Sequence, residues 1–215
     1  MLKPCSLSEI LFPTRCFGCR ALGPDVCSKC RALWIPHLYK TEVDSLRIYS
    51  AILYSPVAKR IILSAKENGI KAADGLIIDA LSHSLHFLLR DFEIGVLIPI
   101  PSRKSSNRKR GRDFLSVITH SLAASESFNC MDLLLHTRKV KDQSELNAHE
   151  RIENIHKALA INRNKLPALG VNNDAILVDD LLTTGATLLE ARRALELRGI
   201  RVMGAITACL SPPLR

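Results

Sequence analysis

The chain has 215 residues, 47% of them hydrophobic, and 30 Lys and Arg against 21 Asp and Glu give it a net charge of +9. This is room for one well-buried core of ordinary domain size plus a small appendage, with the composition of a soluble globular protein. No stretch reaches the roughly eighteen consecutive apolar residues of a membrane span, because Asp79, His83, His86, Pro99 and Pro101 interrupt the longest runs. Leu7 to Phe12 is too short for the apolar core of a secretory leader and contains Glu9. The seven cysteines are therefore expected in a reducing cytoplasm, where metal ligation is favoured over disulfides. The positive charge favours anionic partners: phosphorylated small molecules, nucleic acid, or both.

Residues 1–35 are rich in Cys, Pro and Arg and show neither helical nor strand periodicity, as expected of a module that cannot fold on its own core. Within it lie Cys16-x2-Cys19 and Cys27-x2-Cys30, seven residues apart. Each pair lets two thiolates approach one ion, and two pairs complete the tetrahedral sulfur shell that Zn²⁺ prefers. A full shell leaves no open position, so the expected site is structural. An iron–sulfur cluster and a redox pair are the alternatives. Arg15, Arg20, Lys29 and Arg31 can offset the negative charge of such a site. Trp34 just beyond it is expected to pack the module against the main domain rather than to stack on a base. Cys130 and Cys209 are expected as small buried packing residues.

Regular patterning begins near Leu46. Leu46 to Tyr54 suits one or two short strands. Ser55-Pro56 then opens a helix with Ile61, Ile62 and Ala65 on one face and Gly69 as its stop. Leu76, Ile77, Ala80, Leu81, Leu85, Leu88 and Leu89 mark a second helix. Gly95 to Ile100 reads as a buried strand ending at Pro99-Ile100-Pro101. A basic loop follows, with six cations between Arg103 and Arg112. Phe114, Leu115, Val117, Ile118 and Leu122 indicate a third helix, Met131 to His136 a strand, and Ala148 to Leu159 a helix. Ala175 to Val178 is a central parallel strand, Thr187 to Arg198 a helix closed by Gly199, and Ile200 to Cys209 a last strand. The alternation predicts an α/β fold: a mainly parallel twisted sheet with helices on both faces. The domains expected are a four-cysteine zinc module over 1–40, the α/β domain over 41–210 and a frayed tail over 211–215.

The most informative segment is Val178-Asp179-Asp180-Leu181-Leu182-Thr183-Thr184-Gly185-Ala186-Thr187. Ligands sit at the carboxyl ends of strands in open parallel sheets. A tight Gly-containing turn there, continued by the first free N–H groups of a helix, forms a concave anion site. Thr183, Thr184 and Thr187 add hydroxyl donors, and Gly185 lets the backbone approach the oxygens. Asp179 and Asp180 would repel a phosphate but can accept from vicinal hydroxyls. A phosphorylated ribose satisfies both halves. Neither a P-loop nor a dinucleotide-binding glycine pattern is present. His136, His149 and His156 have no partner suggested by the sequence and are expected in surface or capping positions. Asp132 and Asp142 are expected as surface acids.

These motifs together resemble the ComF-type phosphoribosyltransferase-like proteins associated with bacterial competence. The resemblance runs from Leu11-Phe12-Pro13 to about Cys209. It is carried by the double Cys pair, Lys66, Pro99-Ile100-Pro101, Arg110-Gly111, the spaced set Gln143, Leu146, Arg151 and Asn154, and above all the Asp-Asp-Leu-Leu-Thr-Thr-Gly segment. It implies a type I phosphoribosyltransferase fold that binds phosphoribosyl pyrophosphate (PRPP) through Asp179, Asp180, Leu182, Thr183, Thr184, Gly185, Ala186 and Thr187. Asp179 and Asp180 would serve catalysis. The implied chemistry displaces pyrophosphate from PRPP with a nucleophile in a Mg²⁺-dependent step. Lys66, Arg103 and Arg110 are candidates for the pyrophosphate. Residues 139–154, with Gln143, Arg151 and Asn154, would form a water-excluding lid. The implied setting is DNA uptake, with other DNA-uptake proteins as partners. The competing function is a PRPP-sensing or single-stranded-DNA-binding module. One departure stands out: after Arg110-Gly111 the family commonly continues Phe-Asn-Gln, and this chain has Arg112-Asp113-Phe114.

Overall fold

Ala175, Ile176, Leu177 and Val178 are each no more than 1% exposed, which requires cover on both faces and pairing along both edges. In the computed structural model, which describes residues 14–92, 95–141, 146–168 and 174–212, that is their position. The elements in chain order are α1 (Ser28–Ala32), β1 (Tyr39–Val43), β2 (Leu46–Leu53), α2 (Pro56–Lys66), α3 (Lys71–Leu88), β3 (Val96–Pro99), α4 (Lys104–Arg110), α5 (Phe114–Glu126), β4 (Leu134–His136), α6 (Ala148–Ile155), β5 (Leu159–Ile161), a 3₁₀ turn (Arg163–Ala168), β6 (Asp174–Leu182), α7 (Ala186–Glu196) and β7 (Arg201–Leu210). Leu11-Phe12-Pro13, Cys5, Asp142, Gln143 and residues 213–215 lie outside the described residues.

The main sheet has the order β1-β2-β7-β6-β3. Strands β2, β7, β6 and β3 run parallel, and β1 adds an antiparallel edge to β2. The fold is therefore mixed α/β with a mostly parallel central sheet. Helices α3 and α5 pack together over β2, β7 and β3. The crossover β6–α7–β7 advances across the sheet in the opposite direction from β2–α2–α3–β3. Right-handed connections then place α7 on the other face, where it meets α6 and β5. Strands β4 and β5 form a separate antiparallel ribbon.

The local chemistry explains most boundaries. Ser55 caps α2 by accepting from the Ala58 N–H at 3.1 Å, with Pro56 opening the helix. Ala73, Ile77, Ala80, Leu81, Leu85 and Leu88 form the buried stripe of α3 at spacings of three and four. The outer edge of β3 is covered by residues 129–131, since Leu97 donates to Asn129 O and Met131 donates to Leu97 O.

Four local expectations need correction. The basic loop is a short helix, α4, ended by Gly111 in the left-handed region at φ 70°. It has no buried residue, so no apolar period marks it. The helix expected to reach Leu159 stops at Ile155, and Leu159 instead opens β5 against His136. The strand expected from Met131 is regular only from Leu134. Strand β1 falls where no strand was expected; its polar, alternating sequence suits an exposed edge.

Buried hydroxyls knit β2, β7 and α3. Ser50 and Thr207 share a hydrogen bond of 2.6 Å, and Ser84 donates to Thr207 O at 2.9 Å. Thr207→Val leaves the Ser50 hydroxyl buried without that partner and should cost about 1–3 kcal/mol. Urea denaturation of both single variants and of Ser50→Ala/Thr207→Val should show the double variant losing less than the sum. Additive losses would mean the two hydroxyls do not depend on each other.

Candidate functional site

Leu182, Leu210 and Leu53 stand side by side at the carboxyl end of the sheet, whereas β3 stops level with Val178. Strand β6 thus projects Asp179 to Leu182 beyond its neighbour β3. Asp180 is 7% exposed, and its Oδ2 accepts from the Lys66 ammonium at 2.5 Å. Asp179 is half-buried, and its Oδ1 accepts from the Asp180 N–H at 2.8 Å. Lys66 is the last residue of α2. Its ammonium is therefore engaged with Asp180 in this structure.

One ammonium thus serves two carboxyls in a buried setting. Burial alone would raise both, and the Lys66 charge and hydrogen bond more than offset it at Asp180, which is held below the ordinary carboxylate value. Asp179 is pushed well above that value, first by burial and then by the negative charge of Asp180. With both carboxyls ionised the site would carry one negative charge more than Lys66 offsets, which is why Asp179 holds its proton more tightly.

The turn after β6 is compact. Gly185 has φ 77°, and a Cβ there would lie 3.2 Å from Val43 Cγ1. Both the backbone and the β1–β2 hairpin above it require glycine. Thr184 Oγ1 lies 3.4 Å from the Ala186 N–H and accepts from it, and Thr183 is exposed. Ala186, the first residue of α7, packs with Ile155, Ala158 and Val140. Val140, from the segment expected as a lid, therefore lies in one cluster with the first residue of α7 and with Ile155 and Ala158 just after that segment.

The chain beyond that segment is anchored further along α7, at Leu159. Glu190 is 5% exposed. It accepts from the Leu159 N–H at 3.1 Å and from Arg193 at 2.7 Å, and Arg193 donates in turn to Leu159 O at 3.1 Å. Burial disfavours the Glu190 charge, but Arg193 and the backbone donors hold its pKa low. Asn154 makes a reciprocal pair with the backbone of Lys141, at 2.9 and 3.1 Å. Arg151 lies on α6 and Arg103 precedes α4. Nothing in the sequence pointed to Glu190, because its partner Leu159 is 31 residues away.

Arg110 forks onto Glu67 Oε1 at 3.1 and 2.5 Å. Arg112 bonds both oxygens of Asp74, at 2.6 and 2.8 Å, and also the Ala65 carbonyl. Asn107 donates to Asp113 Oδ2 at 2.8 Å. A cavity of about 580 Å³ opens here, lined by Lys104, Asn107, Arg108, Gly111, Arg112 and Asp113. His136 donates from Nε2 to Pro101 O at 3.0 Å, and burial lowers its pKa, so it is a neutral structural histidine. His149 pairs with Glu153 at the surface.

The sulfurs of Cys16, Cys19, Cys27 and Cys30 all lie within 4.8 Å of one another, and Cys19 Sγ and Cys27 Sγ are 3.7 Å apart. Zn–S bonds of about 2.3 Å in a tetrahedron separate sulfurs by about 3.8 Å, so the cluster fits zinc. Burial opposes ionisation of Cys16, but amide donors from Cys27, Cys19 and Gly18 overcome it and lower its pKa to about 6. Cys30 is raised by burial and by the sulfurs beside it. Ionising all four thiols needs a cation in their midst. A Cβ at Gly18 would sit 2.6 Å from Cys30 Sγ. Trp34 and Phe17 belong to the same buried cluster as the main core, and Arg60 of α2 donates to Gly18 O at 2.7 Å.

No family model matches the chain, and no curated protein does. Nine chains among solved structures match. One is an adenine phosphoribosyltransferase from Leishmania donovani, at 12% identity and a TM-score of 0.42, over 80% of this chain and 86% of that one. A likeness this slight does not identify a family.

The raised Asp179 carboxyl has a consequence for stability. A group whose folded pKa lies above its unfolded value, about 3.9, favours folding only while protonated. Its destabilising charge appears as pH rises through the folded pKa. Asp179→Asn should therefore raise the melting temperature at pH 7, and the gain should shrink to nothing near pH 4. A melting temperature unchanged at pH 7 would show that the fold does not oppose the Asp179 charge.

Proposed function

We propose that the chain binds PRPP at residues 179–187 and is a ComF-type phosphoribosyltransferase-like protein. In this reading it transfers phosphoribose to an acceptor with release of pyrophosphate, in the cytoplasm and in association with DNA uptake. The observation that carries the reading is the pair Asp179–Asp180, buried at a strand end with one cation beside them and followed at once by the 183–187 turn. A ribose diol supplies the donors the pair lacks, and the 5′-phosphate at the far end of the sugar meets the first amides of α7. The same reading divides the chain into a zinc module over 1–40, the phosphoribosyltransferase-like domain over 41–210 and a tail over 211–215.

The residues then have separable roles. Asp179 and Asp180 accept from the 2′- and 3′-hydroxyls, while Lys66 keeps Asp180 ionised. Thr183, Thr184, Thr187 and the amides of Leu182, Gly185 and Ala186 surround the phosphate. In the reaction the bond from C1′ to the pyrophosphate oxygen breaks as the acceptor bonds to C1′. Arg103, with Lys104 and Arg108 of α4, would supply cations for the departing charge. When bound, Mg²⁺ on the pyrophosphate oxygens would lower the charge of the leaving group. Residues 139–154, with Gln143, Arg151 and Asn154, would form a lid that excludes water. Lys66 and Arg110, which in this structure bond Asp180 and Glu67, remain the other candidates for the pyrophosphate.

A second reading has its own observation. Lys104, Arg108 and Lys109 are exposed together on α4, a short cationic surface suited to the backbone of single-stranded DNA. Under this reading the protein is a non-catalytic, PRPP-sensing or DNA-gripping part of an uptake apparatus with protein partners.

Calorimetry with PRPP and Mg²⁺ tests the first reading. Wild type should bind, and Asp179→Asn/Asp180→Asn should bind at least about tenfold more weakly, the loss expected when charge-assisted hydrogen bonds are removed. Equal affinity in both proteins would remove the acid pair from the site. Binding of an oligothymidylate that falls steeply with salt, and is lost in a Lys104/Arg108/Lys109 alanine variant, would favour the second reading instead.

We also propose that Cys16, Cys19, Cys27 and Cys30 hold a structural Zn²⁺. Purified protein should contain one zinc per chain by mass spectrometry of the native protein, and Co²⁺ exchange should give the absorption of a tetrahedral four-thiolate site. Gly18→Ala, which intrudes on Cys30, should lower metal content and melting temperature together. Full zinc occupancy in that variant at wild-type stability would contradict the packing around Gly18.

A further inference from the structure

Lys66 sits where a helix is least well held. The last four carbonyls of a helix have no donor within it, and a lysine there has many rotamers to choose among. In this chain both neighbours of Lys66 are gripped. On one side Arg112 donates to the Ala65 carbonyl, and with the same guanidinium to both oxygens of Asp74. On the other side Arg110 forks onto the Glu67 carboxylate. The two arginines flank Gly111, whose positive φ reverses the chain between them. Their hydrogen bonds go to the end of α2 and to α3, and the ammonium between them reaches Asp180.

We infer that Arg112 and Arg110 are positioning residues for the acid pair, acting through Lys66, whose helix end they hold in place from the start of α5 and the end of α4. The inference rests on reading residues 179–187 as a sugar-phosphate site. It also accounts for Arg112, which stands where the resembled family commonly has Phe and which no contact with a ligand is needed to explain. The position of Lys66 matters because no other cation is seen to reach the acids among the described residues. The other titratable groups that interact with Asp180 are Tyr54 and Cys209, both pushed upward by burial and so neutral at pH 7. Arg110 acts on Lys66 as a like charge, which discourages the ammonium from swinging toward α4. A bracket that fixes Lys66 therefore decides which carboxyl is ionised and which keeps its proton.

The test reads the acids without any ligand. Asp74→Asn and Arg112→Gln together remove the charged part of the bracket without stranding a buried acid. Carbon-13 NMR titration of the aspartate carboxyls should then show the Asp180 step moving upward by about one pH unit. Lys66→Met marks the limit of that shift, and Arg112→Lys, which can still cap Ala65, should recover part of the wild-type curve. PRPP affinity should fall about tenfold in the double variant. If the melting temperature drops while the Asp180 titration superposes on wild type, the bracket is merely structural and the inference fails. If the double variant does not fold, Glu67→Gln releases the other grip at an exposed position. A smaller upward shift supports the inference and an unmoved titration overturns it. Wild type that binds no PRPP would sink the proposed function, and the ligand-free titration would still decide this inference.

Discussion

Two carboxyl groups on consecutive residues of a buried strand end, with one ammonium beside them, form an arrangement that a stable fold would not choose for its own sake. Removing the uncompensated acid would relieve like-charge repulsion and the cost of desolvation. The chain instead devotes much of its architecture to keeping it. Strand β6 must outrun β3 so that Asp179 and Asp180, still within the part paired with β7, lie past the end of β3. Helix α2 must end at Lys66, within reach of a residue 114 positions away. Perturbed carboxyl pairs of this kind cluster at functional sites, which is why the proposed sugar-phosphate site is placed here.

The helix that follows the acids is fixed from two directions. Val43, at the tip of the β1–β2 hairpin, closes over Gly185, and Arg192 of α7 bonds Asp44 in the same hairpin. Ile155 and Ala158 lie against Ala186, and the Glu190–Arg193 pair holds Leu159 by both its N–H and its carbonyl. A two-stranded ribbon is marginal alone, so β4–β5 owes its place to this clamp. The chain over the first turn of α7 is therefore held by apolar packing on Ala186 and, just beyond it, by backbone hydrogen bonds between Leu159 and the Glu190–Arg193 pair.

Particular residues show what a sequence can and cannot announce. The central strand, the paired acids and the turn were legible because each leaves a local pattern: an unbroken apolar run, then acids, then Thr and Gly in order. The four cysteines were legible for the same reason. What escaped was non-local or unpatterned. No apolar period exists in α4, where Lys104–Arg110 buries nothing, so its helicity rests on contacts such as Arg110 with Glu67. The break after Ile155 was hidden because Ile152, Ile155 and Leu159 continue a helical spacing, whereas Lys157 takes a positive φ that no residue type announces. Lys66 and Arg110 were singled out by the resemblance and by their charge. Geometry shows both bound to carboxylates, and charge counting cannot say which acid a lysine will meet.

Helix α2 joins the four-cysteine cluster to the acids. Near its start, Val57 packs on Gly18 and Arg60 grips the Gly18 carbonyl, within the Cys16–Cys19 turn. At its end, Arg112 and Arg110 hold Ala65 and Glu67 on either side of Lys66. A helix of this length is rigid along its axis, so a displacement of either anchor is carried to the ammonium. Eleven residues at about 1.5 Å each place Lys66 roughly 15 Å along the axis from the cysteine end. The four-cysteine cluster and the ammonium beside Asp180 thus lie at the two ends of one helix.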